Sequence, residues 1–288
     1  MTVVPNGKAS PARTEESLTI SETSRDVSRS TRSARSGQAL NVAAAPPLNG
    51  CNVTLPLDMT KGLFASLNVY HDIASRSAAV NMAIDEALLE TAEIPTIRFY
   101  TWDHPALSFG YFGKFADVEN HAPRRDLARR WTGGGTVFHG DDLTYSIVIP
   151  ASETAFGESS MSIYENVHRA LCRVLLERGQ DAVVAAVADR GAGVSAAGHS
   201  GECFANPVRA DVLSNGRKIA GAAQRRTRRG LLQQGSIQGI QLANKFADQF
   251  ARELCSKCCR KTLDEHLIAR AHEIAEEKYG AQVWLRKR

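Results

Sequence analysis

The 288-residue chain lacks any run approaching the roughly 18 consecutive apolar residues that a membrane-spanning helix needs. A helical membrane protein is thereby excluded, and no membrane partner is expected. The N-terminus has no compact apolar block between a basic start and a small-residue cleavage site, which argues against a secretory signal and for the cytoplasm. Charge of one sign is also scarce. A net charge of +4 falls short of the dense basic face of nucleic-acid binders, so no nucleic-acid partner is expected. The one local cluster, Arg225, Arg226, Arg228 and Arg229, reads as a solvated strand end or loop, with contact to a phosphate or an acidic partner, or long-range steering of that partner, as its functional alternative. The six cysteines are expected to be free thiols in a reducing compartment. Cys255, Cys258 and Cys259 offer three thiols, with His266 as a fourth ligand at an unfamiliar spacing. No metal is therefore expected, and the three thiols are placed on or near a helix.

Residues 1–60 are poor in aromatic and large aliphatic side chains and rich in Ser, Thr and Arg between residues 21 and 36. Such a stretch buries too little apolar surface to offset its ordering entropy, so it is read as a disordered tail or an upstream start-site error. A transit peptide is the lesser reading, weakened by Glu15, Glu16, Glu22 and Asp26. Residues 61–288 are expected to form one catalytic domain.

Within it, residues 81–90 contain good helix formers behind a polar cap candidate, Asn81. Residues 96–102 and 143–149 alternate as strands, the second stopping at Pro150. Ile163, Val167, Ala170, Leu171, Val174 and Leu175 recur at helical spacing, with Ser162 and Glu165 as a capping box and Gly179 after the end. Residues 211–220 read as a hairpin turning at Asn215-Gly216, and residues 231–237 as a further strand. A last helix carries Leu267, Ile268, Ala271, Ile274 and Ala275, with a capping box at Thr262 and Glu265 and a stop at Gly280. Strands in runs with helices between some of them predict an α+β fold with a mixed sheet flanked by helices.

Two segments could carry chemistry. Gly133-Gly134-Gly135 allows the main chain to approach a ligand or present N–H groups to it, and Arg129 and Arg130 before it could neutralise a phosphate or pantetheine-linked group. The plain alternative is a flexible loop. Cys203 is the natural nucleophile if a thioester must form, and the ammonium of Lys218, between Gly216 and Gly221, suits a carbonyl or phosphate oxygen. Against this stand a small buried thiol and a solvated hairpin lysine. A Cys203–His199 pair lacks an evident third member, Cys172 reads as packing, and Cys51 lies in the tail.

At these residues the chain resembles the lipoate–protein ligase and octanoyltransferase family, whose catalytic fold is shared with biotin–protein ligases. The resemblance covers roughly residues 70–240. It rests on Asn81-Met82-Ala83-Ile84-Asp85-Glu86, Arg98-Phe99-Tyr100-Thr101-Trp102, Ser108-Phe109-Gly110-Tyr111-Phe112, Arg129-Arg130-x-Thr132-Gly133-Gly134-Gly135 with His139, Gly216-Arg217-Lys218-Ile219-x-Gly221-x-Ala223-Gln224, and Leu232-Gln233-x-Gly235-Ser236-Ile237. The Cys203-Phe204 pair is similar to the branch that transfers octanoyl groups through a cysteine thioester. The resemblance implies Cys203 as the acyl-accepting nucleophile and Lys218 as the lysine contacting the acyl carbonyl. It implies a substrate tunnel lined by Gly133, Gly134, Gly135 and His139, with Arg130, Thr132, Gly221 and Ala223 as further substrate-binding residues. The implied donor is an acyl-carrier protein. The implied acceptor is a lipoyl-domain protein, such as glycine cleavage H protein or the acyltransferase subunit of a 2-oxoacid dehydrogenase. No cofactor is required. Ligase members carry an Asn-Asp pair near the Cys203 position that is absent here. Departures are Gly113-Lys114 after Gly-Tyr-Phe, where Gln is frequent, and Gln234, where many members have His. Two alternatives stay open: an ATP- and Mg-dependent lipoate–protein ligase working through an acyl-adenylate, and a non-catalytic protein that binds lipoate or a lipoyl domain.

Overall fold

A computed structural model describes residues 62–186, 204 and 207–287. Strand β1 (Leu67–His71) leads into helix α1 (Ala78–Thr91), followed by strands β2 (Thr96–Tyr100), β3 (Ala106–Phe109), β4 (Asp126–Arg129), β5 (Val137–His139) and β6 (Leu143–Pro150). Helix α2 (Ser160–Glu177) precedes strands β7 (Val183–Val184), β8 (Val212–Ser214), β9 (Arg217–Arg226) and β10 (Gly230–Ile237). Helix α3 (Phe246–Leu254), strand β11 (Cys258–Lys261) and helices α4 (Glu265–Ile274) and α5 (Gln282–Leu285) complete the order.

The main sheet runs β11-β1-β2-β6-β10-β9-β8-β7, and a smaller one runs β4-β3-β5. In the main sheet the β11–β1 and β1–β2 pairs are parallel, and all others antiparallel. This is the expected α+β fold with a mixed sheet. Side chains alternate across each strand, which gives the two faces different chemistry. Tyr145, Ile147 and Ile149 of β6 join Ile163, Val167 and Leu171 of α2 and Phe250 of α3 in one apolar layer. On the opposite face Val148 of β6 and Leu232 of β10 meet Met82, Ala83 and Leu88 of α1 and Ala271 of α4. Ser146 of β6 points to the same side and donates to Asp85 of α1.

Tertiary context relocates all three expected helix starts. Helix α1 begins one turn before Asn81, capped by Ser77, whose hydroxyl accepts from Val80 N. Helix α2 is capped by Ser159 rather than Ser162, and α4 by Asp264 rather than Thr262. The expected hairpin is present: Asn215 at φ 48° and Gly216 at φ 74° supply the two positive angles of a type I′ turn. The placing of three thiols on or near a helix needs correction. Cys255 follows α3, but Cys258 and Cys259 are exposed on β11, because this segment pairs as an edge strand with β1. Cys172 is buried in α2, and its thiol is pushed up to about 12 by burial. Among the described residues, no cluster of His, Cys, Asp or Glu is grouped to hold a metal ion, and no helix is long and apolar enough to cross a membrane.

Candidate active site

A narrow, mainly apolar slot opens between the small sheet and strands β9 and β10. Met82 of α1, Tyr100 and Trp102 line its inner side; Gly221, Ala222, Ala223, Gln234 and Gly235 form one wall; Ser108, Arg130, Gly134, Val137 and His139 form the other. Phe204 closes onto it.

The glycine triplet connects β4 to β5. Gly134 requires its lack of side chain: its φ is +84°, and a Cβ would lie 3.3 Å from Ala223 Cβ. A guanidinium shapes this loop. Arg130, only 6% exposed, donates from Nη2 to the carbonyls of Gly133 (3.0 Å) and Gly135 (2.8 Å), and from Nη1 to Ser108 Oγ (2.7 Å). The neighbouring Arg129 donates to the carbonyls of Tyr111, Gly113, Trp284 and Leu285, which braces the C-terminal helix. Thr132 is buried and donates to Gln234 Oε1 at 2.8 Å.

Lys218, on β9, lies behind two residues of the slot lining, Gly221 and Phe204. Its side chain is 2% exposed, with Nζ 2.8 Å from Asp211 Oδ2 and 5.2 Å from the centre of the Phe204 ring. A Cβ at Gly221 would lie 2.5 Å from Lys218 Cε, so this glycine lets the lysine fold back over its own strand. Asp211 also accepts from Tyr164 Oη of α2 at 2.6 Å and from Val208 N at 2.7 Å. Burial and the adjacent Asp211 push the Tyr164 phenol far above its usual range, which keeps it neutral and a donor. The ammonium is thus held in a dry, hydrogen-bonded setting. Cys203 and His199 lie outside the described residues.

Two buried polar networks support the slot. In the first, Asp85 of α1 accepts from Arg98 Nη1 (2.9 Å), Tyr100 Oη (3.0 Å), Ser146 Oγ (2.7 Å) and Gln234 Nε2 (2.8 Å). Arg98 is completely buried and also pairs with Asp72 (Nη2–Oδ2 2.7 Å) and with Asn81 Oδ1. Burial alone would raise the Asp72 carboxyl, but hydrogen bonds and charge from Arg76 and Arg98 hold it below the usual range. In the second network, His139 Nδ1 is 2.8 Å from Asp142 Oδ2, and its Nε2 is 2.7 Å from Ser108 Oγ. Burial depresses the His139 pKa, Asp142 partly restores it, and Arg130 and Arg125 oppose that, so the ring is neutral near pH 7.

The slot therefore brings together Arg130, Gly134, His139, Gly221 and Ala223 from the expected set. Lys218 lies behind Gly221, and Thr132, Gly133 and Gly135 lie around the rim through their bonds to Gln234 and Arg130. Sequence reasoning missed Asp85, Arg98, Ser108, Asp142, Tyr164 and Asp211 as working groups. A partial signal existed for Asp142, an acid three positions after a motif histidine. None existed for Tyr164, whose partner lies 47 residues away.

The fold that carries this slot is shared with lipoate–protein ligases. Solved structures of that fold superpose on this chain. Lipoate-protein ligase A bound with ATP gives a TM-score of 0.59 at 19% identity, covering 77% of this chain and 98% of that one. The bi-partite lipoate protein ligase of Thermoplasma acidophilum gives 0.58 at 18%, covering 77% and 96%. The chain belongs to the lipoyl protein ligase A/B catalytic domain family, whose model matches residues 77–254. Among curated relatives, octanoyltransferase LipM of Oceanobacillus iheyensis is 39% identical over 172 residues, 56% of this chain and 60% of the relative. Octanoyltransferase LipM of Kyrpidia tusciae is 36% identical over 207 residues, 67% of this chain and 74% of the relative. The match thus spans less than two thirds of the first relative's length and about three quarters of the second's.

Proposed function

We propose that the protein moves an octanoyl group, or the related lipoyl group, from an acyl-carrier protein to a lysine of a lipoyl-domain protein through a thioester on Cys203. The carrying observation is the Lys218 ammonium, buried on Asp211 beside Phe204, which lines the apolar slot and is the chain neighbour of Cys203. The names of the curated relatives support the acyl class.

In the first step the Cys203 thiolate attacks the donor thioester carbonyl. The tetrahedral intermediate collapses, expelling the carrier thiolate and leaving the acyl group on sulfur. In the second step the neutral ε-amine of the acceptor lysine attacks that thioester. The amide forms, its proton leaves, and the Cys203 thiolate is released. Lys218 stabilises each oxyanion, and its charge favours the thiolate of Cys203. The apolar walls hold the acyl chain and exclude water. The donor thioester is already activated, so neither step needs ATP, Mg or another cofactor. The acceptor in this reading is a lipoyl-domain protein, such as glycine cleavage H protein or the acyltransferase subunit of a 2-oxoacid dehydrogenase.

The test compares octanoyl carrier protein with free octanoate plus ATP, read by intact mass. Expected is one octanoyl adduct on Cys203 from the carrier alone, discharged by a lipoyl domain and absent in Cys203→Ala. Acceptor modification only with free acid and ATP, undiminished in Cys203→Ala, would replace this reading with a ligase.

A further inference from the structure

We propose that Ser108, His139 and Asp142 form a directed hydrogen-bond relay that fixes Arg130 as a clamp on the glycine loop and so sets the fit of the slot to the acyl chain. The link to the acyl chain rests on the function proposed above; the clamp itself does not.

The direction of the relay follows from its chemistry. Oδ2 of Asp142 meets three groups: His139 Nδ1 (2.8 Å), Thr144 Oγ1 (2.8 Å) and Ser236 Oγ (2.7 Å), while Gly140 N donates to Oδ1 (3.1 Å). Burial alone would raise this carboxyl, but the bonds from His139, Ser236 and Thr144 outweigh burial and keep it ionised. An ionised carboxylate only accepts, so His139 Nδ1 carries the proton. In the neutral ring Nε2 must then accept, and the Ser108 hydroxyl donates to it at 2.7 Å. Ser108 Oγ in turn accepts from Arg130 Nη1, and Nη2 of the same guanidinium holds the carbonyls of Gly133 and Gly135. The donors thus point one way, from the guanidinium through Ser108 and His139 to the carboxylate. The indole of Trp102 stacks on the imidazole with centroids 4.1 Å apart and is pinned by its own bond to Thr144, which blocks a ring flip. The other charge near the ring, Arg125, donates to the His139 carbonyl.

A serine, a histidine and an aspartate in this order resemble an acyl-transfer nucleophile. Here the serine is only 1% exposed and its oxygen already accepts from a guanidinium. Its hydroxyl proton is committed to His139 and its oxygen to Arg130, so it is a positioning group.

The test uses the full chain with Ser108→Ala, Asp142→Asn and the double variant. Each single change is expected to raise KM for the octanoyl-carrier donor about tenfold, the size of one lost buried hydrogen bond, with a smaller change in kcat. The double variant should match the worse single one, because both cut the same line. Hydrogen exchange over residues 131–138 should quicken in both single variants while α2 stays protected. That readout needs no turnover, so it tests the clamp even if the wild-type chain transfers no octanoyl group, in which case only the proposed function fails. Unchanged loop exchange, or an unchanged KM with additive losses of stability, would overturn the clamp. So would an octanoyl adduct mapped to Ser108.

Discussion

Asp85 is fully buried and accepts from four donors, so its removal would take this acceptor from all of them. The most costly would be Arg98, which is fully buried and would keep only Asp72 as a carboxylate partner. Breaking a buried pair from one side costs about 3–5 kcal/mol. Asp85→Ala is therefore expected to lower Tm on the order of 10 °C by calorimetry. It should also loosen Gln234, because the same carboxylate holds the amide that Thr132 uses to anchor the rim of the slot. The residue that orders the site is thus not one that lines the slot. An unchanged Tm would show that the network relaxes without it.

At the scale of elements, helix starts depend on where the chain arrives from the sheet. Helix α4 follows β11, and the turn between them brings Asp264 rather than Thr262 into register with the free N–H of Leu267, at 2.8 Å. Capping by a carboxylate also complements the helix dipole. Asp264→Ala should cost about 1 kcal/mol in denaturant unfolding, and Thr262→Ala close to nothing. The reverse order would restore the start expected from sequence. The same logic moves the start of α1 from Asn81 to Ser77, which frees Asn81 to reach across to Arg98 from inside the helix.

At the scale of the whole molecule, the buried histidines make stability depend on acidity. His168 sits between Tyr145 Oη and the carbonyl of Ala210, and burial lowers its pKa from 6.5 to about 4. Its folded pKa lies below the unfolded value. Stability is therefore complete above about pH 6.5 and is lost as the pH falls from there to about 4, reaching about 3 kcal/mol. His139 acts in the same direction, and the depressed carboxyls of Asp72 and Asp142 add losses at still lower pH. Chemical denaturation at pH 7, 5.5 and 4 should show this fall, and His168→Gln should flatten it. A slope that persists unchanged in His168→Gln would place the acid sensitivity elsewhere.

What could be read along the chain was local. Alternation at residues 143–149 marks β6, the Asn215-Gly216 pair marks the hairpin, and the glycine triplet and Gly221 mark two sides of the slot. Each signal lies within a dozen residues, where backbone angles and side-chain periodicity act directly. The sheet order and the partners of the site were set by tertiary structure alone. Asp85 and Gln234 are 149 positions apart, and the register of β6 against β10 and the packing of α1 on that face bring them to 2.8 Å. A polar side chain in a helix or strand carries no mark of the donor it will meet, because that partner exists only once the face is buried.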